Sequence, residues 1–600
     1  MSLTTQLQRG YAPGVPTTVF VDDSTIGQMV NEVAQRYPGR VAMDFFSKTT
    51  TYDQMMQQVA RARTVLVEVG VKPHDRVALI LPNCPTHIVV ALAILHIGAV
   101  VVEHNPLAPQ AELEGEFKRH GARTVIAWDN VLDRLNFLPR GATLFGVDLA
   151  DSLPKTSRLL LTLPIPATRK RHQQLGGHRP LHIPSFDDLV AKAHPTFGPC
   201  PVSADDPAVL MHTGGTTGTP KAAVLTHRNL LANVAQDVAW VPHLHEGAEV
   251  FDLILPLFHA FGFGIGFLAA IRMGATMVVF PKFDTTMVLS AQKRIPCTFF
   301  LGVTPMYSRL LDRAEQMDVD LSSIKVSLCG AMPMDQALAR RWEKATGGLV
   351  IEGYGMTEAS PVILGNPCSP QRSPGALGLP YPSTEVRLID PEHPDQDVPD
   401  GQVGEIICRG PQVFSGYLDA PEETAHALID GWLHTGDLGM VKDGTIVMAD
   451  RRKEMINTHG FNVYPSQVEE ILRGIPGVRD VAVVGIPEGE ADESVVAALI
   501  LDSGASVTLE SVREWAEKSL AHYALPRQIV VLNELPKSQL GKVMRRRVRE
   551  QVLGVIDGTR ASLKDLASKI DTSTHSSGPI RRHRLESHLG DSEDQSSFTD

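Results

Sequence analysis

Residues His212-Thr-Gly-Gly-Thr-Thr-Gly-Thr-Pro-Lys221 join glycines, hydroxyls and one lysine after a predicted strand. Gly214, Gly215 and Gly218 let the backbone approach a ligand closely. Successive N–H groups, the hydroxyls of Thr213, Thr216, Thr217 and Thr219, and the Lys221 ammonium suit a polyphosphate. This is not a Walker loop, because Pro220 precedes the lysine and Ala222 follows it. A flexible Gly/Thr loop is the alternative. In Glu352-Gly-Tyr-Gly-Met-Thr-Glu358, Tyr354 could stack on an adenine and Thr357 could bond a phosphate oxygen. Glu358 is a hard oxygen ligand suited to Mg²⁺. An ordinary strand-to-helix turn explains the same residues. In Gly431-Trp-Leu-His-Thr-Gly-Asp437, the carboxylate after a glycine turn could accept ribose hydroxyls, or simply cap the turn. Asp450-Arg-Arg-Lys-Glu-Met-Ile456 with Gly460-Phe-Asn-Val-Tyr-Pro465 forms a fourth group. Pro536-Lys-Ser-Gln-Leu-Gly-Lys542, followed by arginines, forms a fifth and by itself reads as a solvated basic surface.

The elements that must carry these groups alternate strand and helix. Met55, Val59, Ala62, Leu66 and Val69 recur at helical spacing, and Gly70 stops that helix. Strand 77–81, helix 86–97 closed by Gly98, and strand 100–102 form a β-α-β order, which predicts a parallel sheet. The pattern recurs from strand 208–211 through helix 229–238 to strands 251–255, 275–280, 298–301 and 325–328, with helices 306–311 and 334–344 between them. From about Gly375 the strands are short and glycine and proline frequent, which predicts a small β subdomain. After about Asp450 the pattern is helix 468–472, strands 481–484 and 495–500, and helix 509–520, a compact α+β domain. The fold class is therefore α/β: a large N-terminal domain of doubly wound sheets (1–449) with a small β subdomain, then an α+β C-terminal domain (450–560). Residues 571–600 are too polar to bury a core and read as a disordered tail.

The 600 residues exceed what one hydrophobic core supports, in line with two domains. A net charge of −12 argues against nucleic acid as the main partner. The six cysteines are scattered, with no CxxC pair, and read as buried free thiols in a reducing compartment. The first fifteen residues lack an apolar signal core, and the most apolar stretch, 251–280, contains Asp252, His259 and Arg272. A cytoplasmic location is expected.

Taken in order, these groups resemble the adenylate-forming superfamily of acyl-CoA synthetases, luciferases and peptide-synthetase adenylation domains. The resemblance runs from about Thr25 to about Val552 and includes Leu255-Pro-Leu-Phe-His-Ala-Phe-Gly262, Gly330-Ala-Met-Pro333 and Gly404-Glu-Ile-Ile-Cys-Arg-Gly410. Within it the chain looks most like bacterial long-chain fatty acid–CoA ligases. The resemblance implies ATP, Mg²⁺ and coenzyme A. It implies that Thr213 to Lys221 hold the β- and γ-phosphates, and that Gly330, Ala331, Met332 and Pro333 with Gly353 and Tyr354 flank the adenine. Thr357 would touch the α-phosphate, Glu358 the metal, and Asp437 with Arg451 the ribose. His259 would lie near the acyl carboxylate, Lys453 at a hinge to a mobile C-terminal domain, and Gly460 beside the CoA channel. Lys542 would be the mobile adenylation lysine. Ala222 and His459 depart from the family pattern, the second bearing on the thiol side.

The chemistry implied is acyl-adenylate formation from a fatty acid and ATP with loss of pyrophosphate, then thioester formation. Both reactants are anions, so the site must supply positive charge. The rivals are transfer to a carrier protein, a luciferase-like oxygenase and a non-catalytic binding regulator. Intact Lys221, Glu358, Asp437 and Lys542 argue against the last. A long aliphatic acid is expected on two grounds. Residues 251–280 could line an apolar tunnel or be plain core. The apparent insertion between Trp128 and Pro199 carries an apolar run from Leu159 followed by Arg169, Lys170 and Arg171, which could rest on the inner face of a membrane.

Overall fold

The computed structural model describes residues 2–161, 175–198, 200–213, 221–332, 334–451, 454–458, 461–488, 493–520, 522–537 and 542–556. The expected tail and the basic part of the 128–199 insertion lie outside them.

Helix Tyr52–Glu68 begins with a capping box between Thr51 and Gln54, and Gly70 follows it at φ +93°. Helix Pro85–Ile97 takes proline in its first turn and ends on Gly98 at φ +82°, a left-handed cap open to glycine. The latter helix is apolar on every side and buried throughout, as its sequence requires. A seven-stranded sheet forms beside it, with strands Arg76–Ile80, Val100–Glu103, Thr124–Trp128 and Thr143–Val147 parallel to one another. Strand Pro207–Thr213 joins parallel to Val100–Glu103. Here the structure departs from the expected strand-to-helix step. The chain returns as Lys221–Thr226, antiparallel to Pro207–Thr213, before helix His227–Trp240 begins. Strand Gly416–Tyr417 closes that edge of the sheet against Lys221–Thr226.

A nine-stranded sheet has a parallel centre built from Val41–Phe45, Thr276–Val279, Val250–Leu253, Phe299–Gly302, Val326–Gly330 and Leu349–Gly355. Antiparallel strands finish both of its edges. The short strands predicted after Gly375 form a separate antiparallel sheet of Glu385–Ile389, Gly404–Arg409, Trp432–Lys442, Leu428–Ile429 and Thr445–Arg451. The segment 251–280 is core. Helix Gly262–Ala269 is a π-helix with every residue buried, and a cavity of only about 20 Å³ lies against Ile265 and Ala269. Its glycines permit close packing: a Cβ on Gly264 would meet Ser360 O at 3.0 Å, and one on Gly266 would meet Leu253 at 2.8 Å.

Beyond residue 451 the chain builds a smaller domain. Strands Val478–Pro487, Glu493–Leu501 and Gln528–Val531 form its sheet, and helices Pro465–Leu472 and Leu509–Ala516 pack on it. The second helix ends four residues earlier than its apolar spacing suggests. The tract after Lys542 is not a merely solvated basic surface. Arg545 makes two bonds to the buried Glu469 carboxylate, at 2.9 and 2.8 Å, bonds Ser466 Oγ at 3.1 Å and pairs with Glu454. A planar guanidinium fits such a fork, which an ammonium cannot.

Candidate functional site

The hairpin that departs from the sequence reading puts Thr213 and Lys221, the first and last residues of the Gly/Thr motif, directly opposite one another. Gly214, Gly215, Thr216, Thr217, Gly218 and Thr219 lie outside the described residues, as do Pro333, Lys453 and Gly460. The Lys221 ammonium sits 5.0 Å from the centre of the Tyr417 ring, a cation–π contact. The Tyr417 hydroxyl donates to Glu358 Oε1 at 2.6 Å. Tyr417 is held there by its strand pairing with Ala223 and by Leu418 N–H donating to Ala222 O at 2.9 Å. Helix His227–Trp240 supports the same loop: the Asn229 amide donates to Pro411 O at 3.0 Å and Val413 O at 2.7 Å.

Glu358 stands in a single 3-10 turn, Thr357–Ala359, after strand Leu349–Gly355. Phe414 N–H donates to its carbonyl at 2.9 Å, which ties the turn to the Tyr417 loop. Its side chain is buried. Burial raises its pKa above the usual carboxylate value, while the Tyr417 hydrogen bond and the Lys221 charge pull it back. A divalent cation would offset that desolvation. Glu358 therefore fits the hard-oxygen donor that Mg²⁺ takes, with Oε1 already oriented by Tyr417.

Tyr354, on the preceding strand, is buried and its hydroxyl donates to Asp437 Oδ2 at 2.7 Å. Asp437 follows Gly436, at φ +69°, and its own N–H is held by Thr435 Oγ1 at 3.1 Å. Asp437 faces Arg451 across the two strands. The fold thus joins Lys221 to Glu358 through Tyr417, and Tyr354, four residues before Glu358, to Asp437. Sequence reasoning missed Tyr417, because Gly416-Tyr417 has no chemical signature until Glu358 is placed beside it. Gly330 ends strand Val326–Gly330, and a Cβ there would meet the Phe261 ring at 2.6 Å. Ala331 adopts φ +63° and Met332 follows, turning the chain over this end of the sheet.

His259 lies on a segment clamped by Asn83, whose amide donates to Leu253 O and Leu255 O at 3.3 and 2.9 Å. Leu257 N–H donates back to Asn83 Oδ1 at 2.9 Å. Burial pushes the His259 imidazole down to about 4, so it is neutral at ordinary pH. Lys542 is half-buried on the C-terminal domain, just before Val543, which bridges to Lys537, and ahead of helical residues 545–556.

A large α/β body of two sheets, a small antiparallel sheet and an α+β domain that carries a lysine apart from the phosphate loop is the plan of the adenylate-forming ligases. Residues 30–418 match the AMP-binding enzyme family and residues 467–542 its C-terminal domain. The chain belongs to the AMP-binding enzyme family. It is 34% identical over 547 residues to the long-chain-fatty-acid–CoA ligase of Bacillus subtilis, covering 90% of this chain and 97% of that one. It is 33% identical over 522 residues to 4-coumarate–CoA ligase 2 of Oryza sativa subsp. japonica, covering 84% and 88%. Among solved structures, ATP-bound MatB from Rhodopseudomonas palustris superposes with a TM-score of 0.76 at 27% identity, over 88% of this chain and 99% of that one.

Proposed function

We propose that the chain is an AMP-forming acid–thiol ligase that converts a long-chain fatty acid to its coenzyme A thioester at the expense of ATP. A carboxylate oxygen of the acid attacks the α-phosphorus of ATP, and pyrophosphate leaves as the acyl–phosphate anhydride forms. The thiolate of coenzyme A then attacks the activated carbonyl, and AMP departs. The observation that carries the reading is the Lys221–Tyr417–Glu358 group, with Glu358 buried, at the foot of the phosphate loop. It provides a cation for phosphate oxygens beside a carboxylate for a metal.

In this reading the loop from Thr213 to Lys221 grips the β- and γ-phosphates, and Thr357 reaches the α-phosphate. Gly330 to Pro333 and Gly353-Tyr354 border the adenine, while Asp437 and Arg451 take the ribose. Mg²⁺, when bound at Glu358, would neutralise phosphate charge. His259, neutral and clamped by Asn83, positions the acyl carboxylate without adding charge of its own. No side-chain nucleophile is required, and all six cysteines are free thiols, five of them buried. The domain division falls near 449/450, with Lys453 as hinge and Gly460 bordering the thiol channel. Lys542 approaches the phosphates only for adenylation.

The fatty-acid assignment rests on the bacterial relatives, and the rice relative supports an aryl acid as the second reading. Among the described residues no helix is long and apolar enough to cross a membrane. Leu159 and Leu160 project into solvent ahead of the basic cluster and support peripheral contact with a lipid surface. Pyrophosphate release and thioester formation across saturated acids of about two to about eighteen carbons, with benzoate and 4-coumarate alongside, test the proposal. Each buried methylene contributes about 0.8 kcal/mol, roughly fourfold, so kcat/KM should climb with chain length to a plateau. Best activity on an aryl acid overturns the fatty-acid assignment and leaves the adenylation chemistry standing.

A further inference from the structure

Three histidines distant in sequence meet at the root of the phosphate loop. His104 follows strand Val100–Glu103, His120 ends helix Gln110–His120, and His212 lies in strand Pro207–Thr213 next to the loop's first residue. Their ligand nitrogens all lie within 4.8 Å of one another. His104 and His120 are each 1% exposed, and the His212 side chain is 9% exposed. The Nε2 atom of each ring is buried with no hydrogen-bond partner among the described residues. Native interiors rarely leave one such atom unpaired, and three in one place call for a ligand.

The opposite nitrogens of two rings are already engaged. His104 Nδ1 meets Glu116 Oε2 at 2.6 Å, and His212 Nδ1 meets the Glu103 carbonyl at 3.0 Å. Both acceptors put the ring proton on Nδ1 and leave the buried Nε2 lone pair unused. A carboxylate or carbonyl behind the ring is the support that metal-bound histidines use. His120 differs: Ala122 N–H donates to its Nδ1 at 3.1 Å, so the proton of the metal-free ring sits on Nε2. Ligation requires that ring to reorient and give up one backbone hydrogen bond, a small loss beside a metal–nitrogen bond. Burial keeps all three imidazoles neutral, pushing His104 down to about 3, His120 to about 2 and His212 to about 4.

We propose that His104, His120 and His212 form a buried transition-metal site, with Zn²⁺ as the ligand that three imidazoles and no thiolate favour. It is distinct from the Mg²⁺ position at Glu358. Zinc–nitrogen bonds of about 2.0–2.1 Å require the rings to draw together by side-chain shifts of about 1 Å. The bound ion would cross-link two neighbouring strands and a helix at the point where the phosphate loop leaves the sheet, and so brace that loop.

The test uses the full chain, stripped with a chelator and then dialysed against Zn²⁺ or Co²⁺. About one equivalent of metal per chain should be retained. Co²⁺ should give the visible absorption of a tetrahedral site, which Zn²⁺ displaces, and Zn²⁺ should raise Tm relative to the stripped protein. His104→Gln and His120→Gln should each lose that equivalent and that spectrum. Should either variant fail to fold, the wild-type cobalt spectrum and Tm shift carry the result alone. A wild-type chain that keeps no metal, with no tetrahedral cobalt spectrum and no Tm response, overturns the site and leaves an ordered water as the occupant: two Nε2 acceptors and one Nε2–H donor match a single water molecule.

Discussion

Glu358 is a carboxylate that folding removes from water while leaving a tyrosine and a lysine nearby to hold its charge. The Tyr417 hydrogen bond favours the ionised form, since a hydroxyl donates to a carboxylate more strongly than to its acid. Tyr417→Phe keeps the ring under Lys221 and deletes only this bond, so Glu358 must titrate at higher pH. With the carboxylate needed for the metal, the acidic limb of the pH–rate profile for pyrophosphate release should move up. A charged hydrogen bond contributes about 1.5–3 kcal/mol, which makes a tenfold or larger loss at low pH the expected size. If the limb stays where it is in the wild type, Tyr417 does not tune Glu358. Tyr354, which is buried, likewise donates its phenol hydrogen bond to a carboxylate, that of Asp437.

Helix His227–Trp240 links the phosphate hairpin to the nine-stranded sheet, and its inner face carries an anomaly. Asp237 is buried, and neither of its carboxyl oxygens has a partner among the described residues. It lines the cavity of about 20 Å³ with Phe251, Ile265 and Tyr381. Burial drives its pKa well above the ordinary aspartate value, so the folded state prefers the neutral acid. A raised carboxyl pKa contributes stability that is fully present below the unfolded value, near 3.9, and is lost as pH rises toward the folded value. Asp237→Asn does not titrate. Its Tm should therefore gain on the wild type as pH rises from about 4 to about 8, a window that begins at that unfolded value. Parallel Tm–pH curves for the two proteins would refute a neutral Asp237. The element boundaries near this helix were largely legible beforehand, because capping residues and apolar spacing act locally. The intervening strand Lys221–Thr226 was not: it returns from the Gly/Thr loop against Pro207–Thr213, and its other partner, Gly416–Tyr417, lies far along the chain.

At the scale of the molecule, Lys221 lies in the larger body and Lys542 in the smaller domain, so the proposed chemistry requires the smaller domain to close over the loop. Arg545, three residues beyond Lys542, is locked to Glu469, Ser466 and Glu454, which ties the basic tract to the segment just after Lys453. In the proposed closure Lys542 would therefore move with the whole domain rather than as a free side chain. Lys542→Ala should cut acyl-AMP formation by about 10²–10³, or roughly 2.7–4 kcal/mol, while supplied acyl-AMP and coenzyme A are still converted to thioester. Equal loss in both half-reactions would remove Lys542 from the adenylation step. Taken alone, the sequence determined the alternation of strands and helices over most of the chain, its two-part division and the identity of the glycine-, threonine- and lysine-bearing motifs. Those features are set by neighbours a few residues apart: apolar period, caps, turn residues and motif spacing. Only the tertiary structure decided that Tyr417 joins Lys221 to Glu358, that Asp237 is stranded without a partner, and that His104, His120 and His212 face one another. These depend on sheet order and side-chain direction, which bring residues separated by many positions within a few ångströms and leave no periodic trace in the sequence.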